Sequence, residues 1–230
     1  MKIVRVEKII ERGPFAASQE WKRIRRQALA AIQAAEWPVG SGSFTVYPQS
    51  GKKTGEGNGV KPIKDNVIKM LTGGKPKYGA LIKQRLNERN NTAILDEWVS
   101  EYPWPVGERE KETGGSRPGG MDAAYVFREG LVCFEWETGN ISSSHRSLNK
   151  MCLGLLKGRI KGGMLVVPSR ELYRYLTDRI GNIAELEPYF DLCRSISCED
   201  GVLDIIVIEH DALSTDVPKI PKGTDGRAKG

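Results

Sequence analysis

The chain has 230 residues, 39% hydrophobic and 28% charged, a composition typical of a soluble globular protein and long enough for one large core or two small ones. No apolar run approaches the roughly 20 residues that cross a bilayer, and the N-terminus MKIVRVEKIIERG is too charged for a signal peptide, so the expected compartment is cytoplasmic. The net charge of +6 is uneven: residues 1–90 hold 18 Lys and Arg against 7 Asp and Glu, the remainder 17 against 22, a basic half that suits a polyanion or serves solubility alone.

In chain order, residues 18–36 place Trp21, Ile24, Ala28, Ile32 and Ala35 at three- and four-residue steps, which predicts an amphipathic helix ended by Pro38 and Gly40. SFTVYP, 43–48, reads as a strand, and QSGKKTGEGNG after it as a loop. Residues 63–101 are expected to form two or three helices around Val67, Ile68 and Leu71, then Leu81, Ile82 and Leu86, then Ile94, Leu95 and Trp98. The breaker-rich PWPVGEREKETGGSRPGG, 103–120, should be loop.

The pattern then changes period. DAAYVF (122–127) and LVCFEWE (131–137), joined at Glu129-Gly130, read as a β-hairpin, and HRSLNKMCLGLLKGR as a helix with Leu148, Met151, Cys152 and Leu155 on its apolar face. GMLVVP and VLDIIVIEH (202–210) are expected strands, with helices at 169–178 and 183–192 between them. Strands separated by helices favour an α/β fold: a central mixed sheet covered by helices on both faces. A single domain over 1–230 is expected, with the Pro-, Gly- and Lys-rich 217–230 a flexible tail. Cys133, Cys152, Cys193 and Cys198 show no CxxC spacing, and apolar neighbours mark the first two as buried thiols.

The stretch FEWETGNISSSHRSLNK, 134–150, carries the chemistry. Glu135 and Glu137 lie on one side of an extended strand, and the hairpin places Asp122 beside them at its open end. Carboxylates so close repel unless they hold a cation or share protons. Hard oxygen ligands favour Mg²⁺, which can activate a water and clamp a phosphodiester oxygen; solvated strand-end acids are the plain alternative. Competing chemistries fit less well. Glycoside hydrolysis wants an aromatic cleft, and aromatic content is 7%. GSGS, GEGNG and TGGK lack nucleotide-loop spacing, and no nucleophile elbow supports a Ser–His–Asp triad. His145, at a helix start, reads as a capping or packing residue rather than a base.

FEWETGNISSSHRSLNKMCLGLLKG, YLTDRIGNIAELEPYF and VPKIPKGTDG together closely resemble the BamHI restriction endonuclease family. The likeness runs from Gly119 to about Phe190, returns at 217–226, and has a weaker echo in NGVKPIKD, 58–65. It implies a type II endonuclease acting as a homodimer on double-stranded DNA, Mg²⁺-dependent and cutting GGATCC after its first G, with a partner DNA methyltransferase protecting host DNA. The family's catalytic acids fall on Asp122, Glu135 and Glu137, the first two as metal ligands; Glu137 stands where most nucleases of the wider fold have Lys. A further upstream acid is expected, and Glu108 is the candidate, although 65–118 matches poorly. Base-reading positions fall on Asn140, Ser142, Arg146, Asp178 and Arg179; an Arg can donate twice to guanine and an Asp can accept from cytosine. Without the likeness, Asp178-Arg179 would read as a helix-end ion pair. Lys64 and Lys150 are expected phosphate or groove contacts, and Asp225 and Gly226 a minor-groove approach, where Arg227 departs from the family's apolar residue. A catalytically inactive DNA-binding protein of this fold and a structure-selective repair nuclease are the other readings.

Overall fold

The computed structural model describes residues 1–50, 57–87, 95–105, 118–177 and 180–222. The chain opens with β1 (Lys2–Arg12), an eleven-residue strand that the sequence pattern does not predict. Its register shifts between Ile3 and Arg5 and again between Lys8 and Ile10, which breaks the two-residue alternation a reader looks for. A short α1 (Gly13–Ala17) leads into α2 (Gln19–Gln33), where Ser18 accepts from the Trp21 N–H at 3.0 Å as N-cap. The predicted helix is there, and it buries Trp21, Ile24, Ala28 and Ile32.

The strand expected at 43–48 is reduced to β2 (Thr45–Val46). The first two helices expected beyond 63 are α3 (Lys61–Thr72) and α4 (Tyr78–Asn87). The third is overturned: Trp98 lies in β3 (Glu97–Tyr102), an edge strand paired with the hairpin. Leu95 and Trp98 mimic a helical stripe, but Trp98 packs edge-on to Tyr125 at 5.4 Å, while Val99 turns to the other side with Leu81 and Leu95. Opposite faces for consecutive residues mean a strand.

β4 (Met121–Phe127) and β5 (Gly130–Trp136) form the predicted hairpin, and α5 (Ile141–Leu156) the predicted helix. After β6 (Gly162–Pro168), the helix expected at 169–178 shrinks to α6 (Arg170–Tyr173). That expected at 183–192 is divided into α7 (Ile183–Leu186), a 3₁₀ turn and α8 (Phe190–Arg194), the break falling at Pro188. β7 (Gly201–Glu209) and β8 (Ala212–Leu213) complete the described elements.

The main sheet has the order β1-β7-β6-β5-β4-β3; the β5–β6 and β6–β7 pairs are parallel and the rest antiparallel, so the sheet is mixed. Its central strands are buried on both faces. On one, α2 and α3 pack over Val132, Phe134, Met164 and Ile206; on the other, α5, α7 and α8 pack over Leu131, Cys133, Leu165 and Ile205. This is the expected α/β arrangement. Gly163 lets α5 approach closely: a Cβ there would meet the Met151 sulfur at 2.8 Å.

One polar group interrupts the first face. Asp204, 3% exposed in β7, accepts from Arg25 Nε on α2 at 2.6 Å, and burial nevertheless raises its pKa. Arg25→Met should cost about 3 kcal/mol at neutral pH by urea denaturation, since the carboxylate would be left buried without its cation. A raised folded pKa means the fold holds the proton more tightly than the unfolded chain, so the deficit should shrink as pH falls. An equal deficit at acidic and neutral pH would show that Asp204 carries no charge in the fold.

Candidate active site

The β4–β5 pairing runs from Phe127↔Gly130 to Ala123↔Phe134, and Asp122 stands one residue beyond that last pair. Its side chain extends the ladder: Oδ2 accepts from the Trp136 N–H at 2.9 Å, leaving Oδ1 to accept from Lys64 of α3 at 2.5 Å. On β5, Leu131, Cys133 and Glu135 alternate toward α5. Glu135, 4% exposed, accepts from the Lys150 ammonium, which also donates to the Gly120 carbonyl at 2.7 Å. Glu137 follows the strand; its N–H donates to Val166 at 2.8 Å, and its carboxylate accepts from the Ser147 hydroxyl at 2.6 Å.

Lys64, Asp122, Glu135, Glu137, Arg146 and Lys150 all line one open cleft. Burial and then the charge of Asp122 push Glu135 up to about 7, against the pull of Lys150. Burial raises Glu137 as well, partly offset by the Ser147 hydrogen bond. Asp122, Glu135 and Glu137 thus line one cleft, each with its own partner. Among the described residues no three His, Cys, Asp or Glu side chains converge closely enough to hold an ion unaided.

A divalent ion fits this cleft on the chemistry of its donors. Mg²⁺ is commonly held by one or two carboxylates, with water and substrate phosphate oxygens filling the shell. Asp122 and Glu135 supply two oxygen donors at the wall of an open cleft, and both are already compensated by ammonium groups.

Asn140 caps α5, its Oδ1 accepting from the Ser142 N–H at 3.0 Å; Asn140, Ser142 and Arg146 are exposed on or beside the first turns of that helix. His145 packs edge-on against Tyr189 with ring centroids 4.6 Å apart, the packing role expected of it. Lys150 is 5% exposed and bound to Glu135, a counterion in the wall of the cleft. Lys64 is likewise engaged by Asp122. Glu108, Asp178, Arg179, Asp225 and Gly226 lie outside the described residues. Sequence reading missed Ser147 as the partner of Glu137, although its spacing three residues before Lys150 on a helix places both toward the sheet.

The mixed sheet sandwiched by helices is shared by the crystal structure of the restriction endonuclease BglII complexed with a DNA 16-mer. That match has a TM-score of 0.50 at 10% identity, covering 92% of this chain and 79% of that one. A family model described as restriction endonuclease BamHI matches residues 1–227. The chain is 39% identical over 228 residues to the type II restriction enzyme OkrAI of Oceanobacter kriegii, covering 99% of each. It is 36% identical over 197 residues to the type II restriction enzyme BamHI of Bacillus amyloliquefaciens, covering 84% of this chain and 76% of that one. The chain belongs to the BamHI family of type II restriction endonucleases, a family that implies a divalent metal cofactor.

Because Glu135 must lose a proton to bind an ion, divalent-ion affinity without DNA should rise as pH climbs through about 7. Calorimetry in two buffers of different ionisation enthalpy should detect proton release at acidic pH, and Glu135→Gln should remove it. Release undiminished in that variant would mean that Glu135 does not exchange its proton for the ion.

Proposed function

We propose that this endonuclease is Mg²⁺-dependent and hydrolyses double-stranded DNA at GGATCC after the first G, leaving 5′ GATC overhangs. The observation that carries the reading is the shared cleft: Asp122, Glu135 and Glu137 line it together with Arg146, on the helix whose N-terminal end bears Asn140 and Ser142. Hydrolytic and base-reading groups then stand on directly connected elements, β5 and α5.

In this reading Asp122 and Glu135 would hold the ion, which would supply Lewis acidity to the scissile phosphate and a lowered pKa to the attacking water. Glu137 orients that water and takes up its proton, and the Ser147 hydroxyl fixes which carboxylate oxygen faces it. Glu108 is the candidate further acid. Arg146, Asp178 and Arg179 read the G·C pairs with Asn140 and Ser142, while Asp225 and Gly226 approach the minor groove. Lys64 and Lys150 balance the acids before DNA arrives.

A palindrome offers one half-site twice, so two identical chains related by a twofold axis are the matching assembly. The outer side of α5, where Leu156 is 50% exposed, supports a share in that contact. A whole chain acting as one endonuclease domain, beside a DNA methyltransferase that modifies the same sequence, completes the proposal.

Purified protein with Mg²⁺ should cut a plasmid bearing one GGATCC and leave one without it intact; cleavage at another sequence would discard the specificity and keep the class. Glu135→Ala should abolish cutting yet preserve site-specific binding in gel shift, and persistent cutting would remove its assigned role. Arg179→Ala should lower discrimination at a G·C pair by about 1–3 kcal/mol, read from cleavage of single-substitution sites; an unchanged ratio would free Arg179 from base reading.

A further inference from the structure

Asn58 is fully buried, and it makes contact with three separate stretches of chain. Its side-chain amide donates to the carbonyls of Tyr47 at 2.9 Å and Tyr175 at 2.8 Å, and its Oδ1 accepts from the Ile220 N–H at 3.2 Å. The backbone repeats the pattern. Asn58 N–H donates to Tyr175 O at 2.8 Å, Thr177 N–H donates to Asn58 O at 3.0 Å, and Gly59 N–H donates to Ile220 O at 2.8 Å.

These contacts end where the proposed base readers begin. Thr177 immediately precedes Asp178-Arg179, and Ile220 to Lys222 run toward Asp225-Gly226. On the far side of Asp178-Arg179, Ile180 bridges Asn140, and Gly181 N–H donates to Gly139 O at 3.1 Å. The two readers are therefore bracketed by anchors, one at Asn58 and one at the start of α5. Three residues after Asn58, α3 begins and carries Lys64 to Asp122.

We propose that Asn58, seconded by Gly59, is a positioning residue for sequence discrimination: it fixes the chain entering Asp178-Arg179 and the chain leading to Asp225-Gly226 in one frame with the active site. The inference rests on the base-reading roles proposed above. Its physical basis is the chemistry of an amide. Only Asn offers two donors and an acceptor on so short a side chain, and all three are used here in a place that excludes water. Apolar packing alone would hold these segments near one another; directional bonds hold their register.

Gly59 gives the second, more selective handle. A Cβ there would lie 2.0 Å from the Pro221 carbonyl oxygen and 2.7 Å from the Lys222 Cα. Backbone cannot swing away as a side chain can, so Gly59→Ala must displace residues 221–222. The bonds from Asn58 to Tyr47, Tyr175 and Thr177 are on other segments and should survive.

The test compares wild type, Asn58→Ala and Gly59→Ala on GGATCC and on its single-base-pair variants, taking the ratio of kcat/KM values as the readout. Thermal midpoint and Mg²⁺ binding without DNA are measured alongside. We expect Asn58→Ala to lower the ratio at the outer and inner G·C pairs by about tenfold to a hundredfold, since sub-ångström misplacement of a bidentate contact forfeits most of its selectivity. Gly59→Ala should lower it less, and Mg²⁺ binding should be unchanged in both. A merely structural role would reduce cleavage of every sequence in proportion, leaving the ratio at the wild-type value, and that overturns the proposal. Should Asn58→Ala fail to fold, an unchanged ratio in Gly59→Ala overturns it equally. Wild type that discriminates no sequence would instead bring down the function reading, and this inference with it.

Discussion

The Asp122 side chain takes the place of the next rung in the β4–β5 ladder. By accepting the Trp136 N–H, it fixes the separation of two strand ends that would otherwise splay, and it commits one carboxylate oxygen to the fold and the other to the cleft. The positions of the other two acids are referred to that bond. Glu135 lies one residue before Trp136 and Glu137 one after it, so both project from the same strand face toward α5, where Lys150 and Ser147 meet them. Val166 accepts from the N–H of Glu137, so the central parallel strand holds the same end from its other side. An acid placed this way is rigid because its backbone cannot move without breaking sheet.

That rigidity has an electrostatic cost, visible in the raised pKa values of Glu135 and Glu137. Lys64 and Lys150 offset part of it by pairing with Asp122 and Glu135, and Lys61 and Arg146 line the same cleft. A doubly charged ion beside these acids would attract the phosphodiester of bound DNA, and the phosphodiester would attract the ion. Ion and DNA therefore favour each other's binding by ordinary charge compensation. Such coupling suits an endonuclease, since the reactive state is completed only when substrate is present.

The strands and helices that surround this site were legible because their patterns are local. DAAYVF and LVCFEWE alternate and meet at a Glu-Gly turn, and α5 carries its apolar residues at helical spacing. The failures are just as physical. β1 hides its alternation behind two register shifts, and β3 was obscured because a strand serving two cores places apolar residues on both faces. In the site, the acids were readable from spacing, whereas the partners that set their charge state were not. Lys150 looks like any helix-surface lysine in a sequence, yet in the fold it is buried against Glu135.

Asn58 belongs to the same class of hidden residue. Flanked by glycines in a stretch that reads as a loop, it has nothing in its neighbourhood to show that its amide will be buried. Its three partners are 11, 117 and 162 residues away. A protein that reads bases from several segments faces a problem that no single segment can solve, because each reader must be placed relative to the others and to the scissile bond. Apolar contacts tolerate small slides, while a saturated buried amide does not, since a shift of one partner leaves a polar group without its bond at a cost of about 1–3 kcal/mol. Discrimination between base pairs is worth a similar amount per contact. A frame for recognition must be at least that stiff, and one buried asparagine joining three segments meets the requirement where side-chain packing alone would fall short.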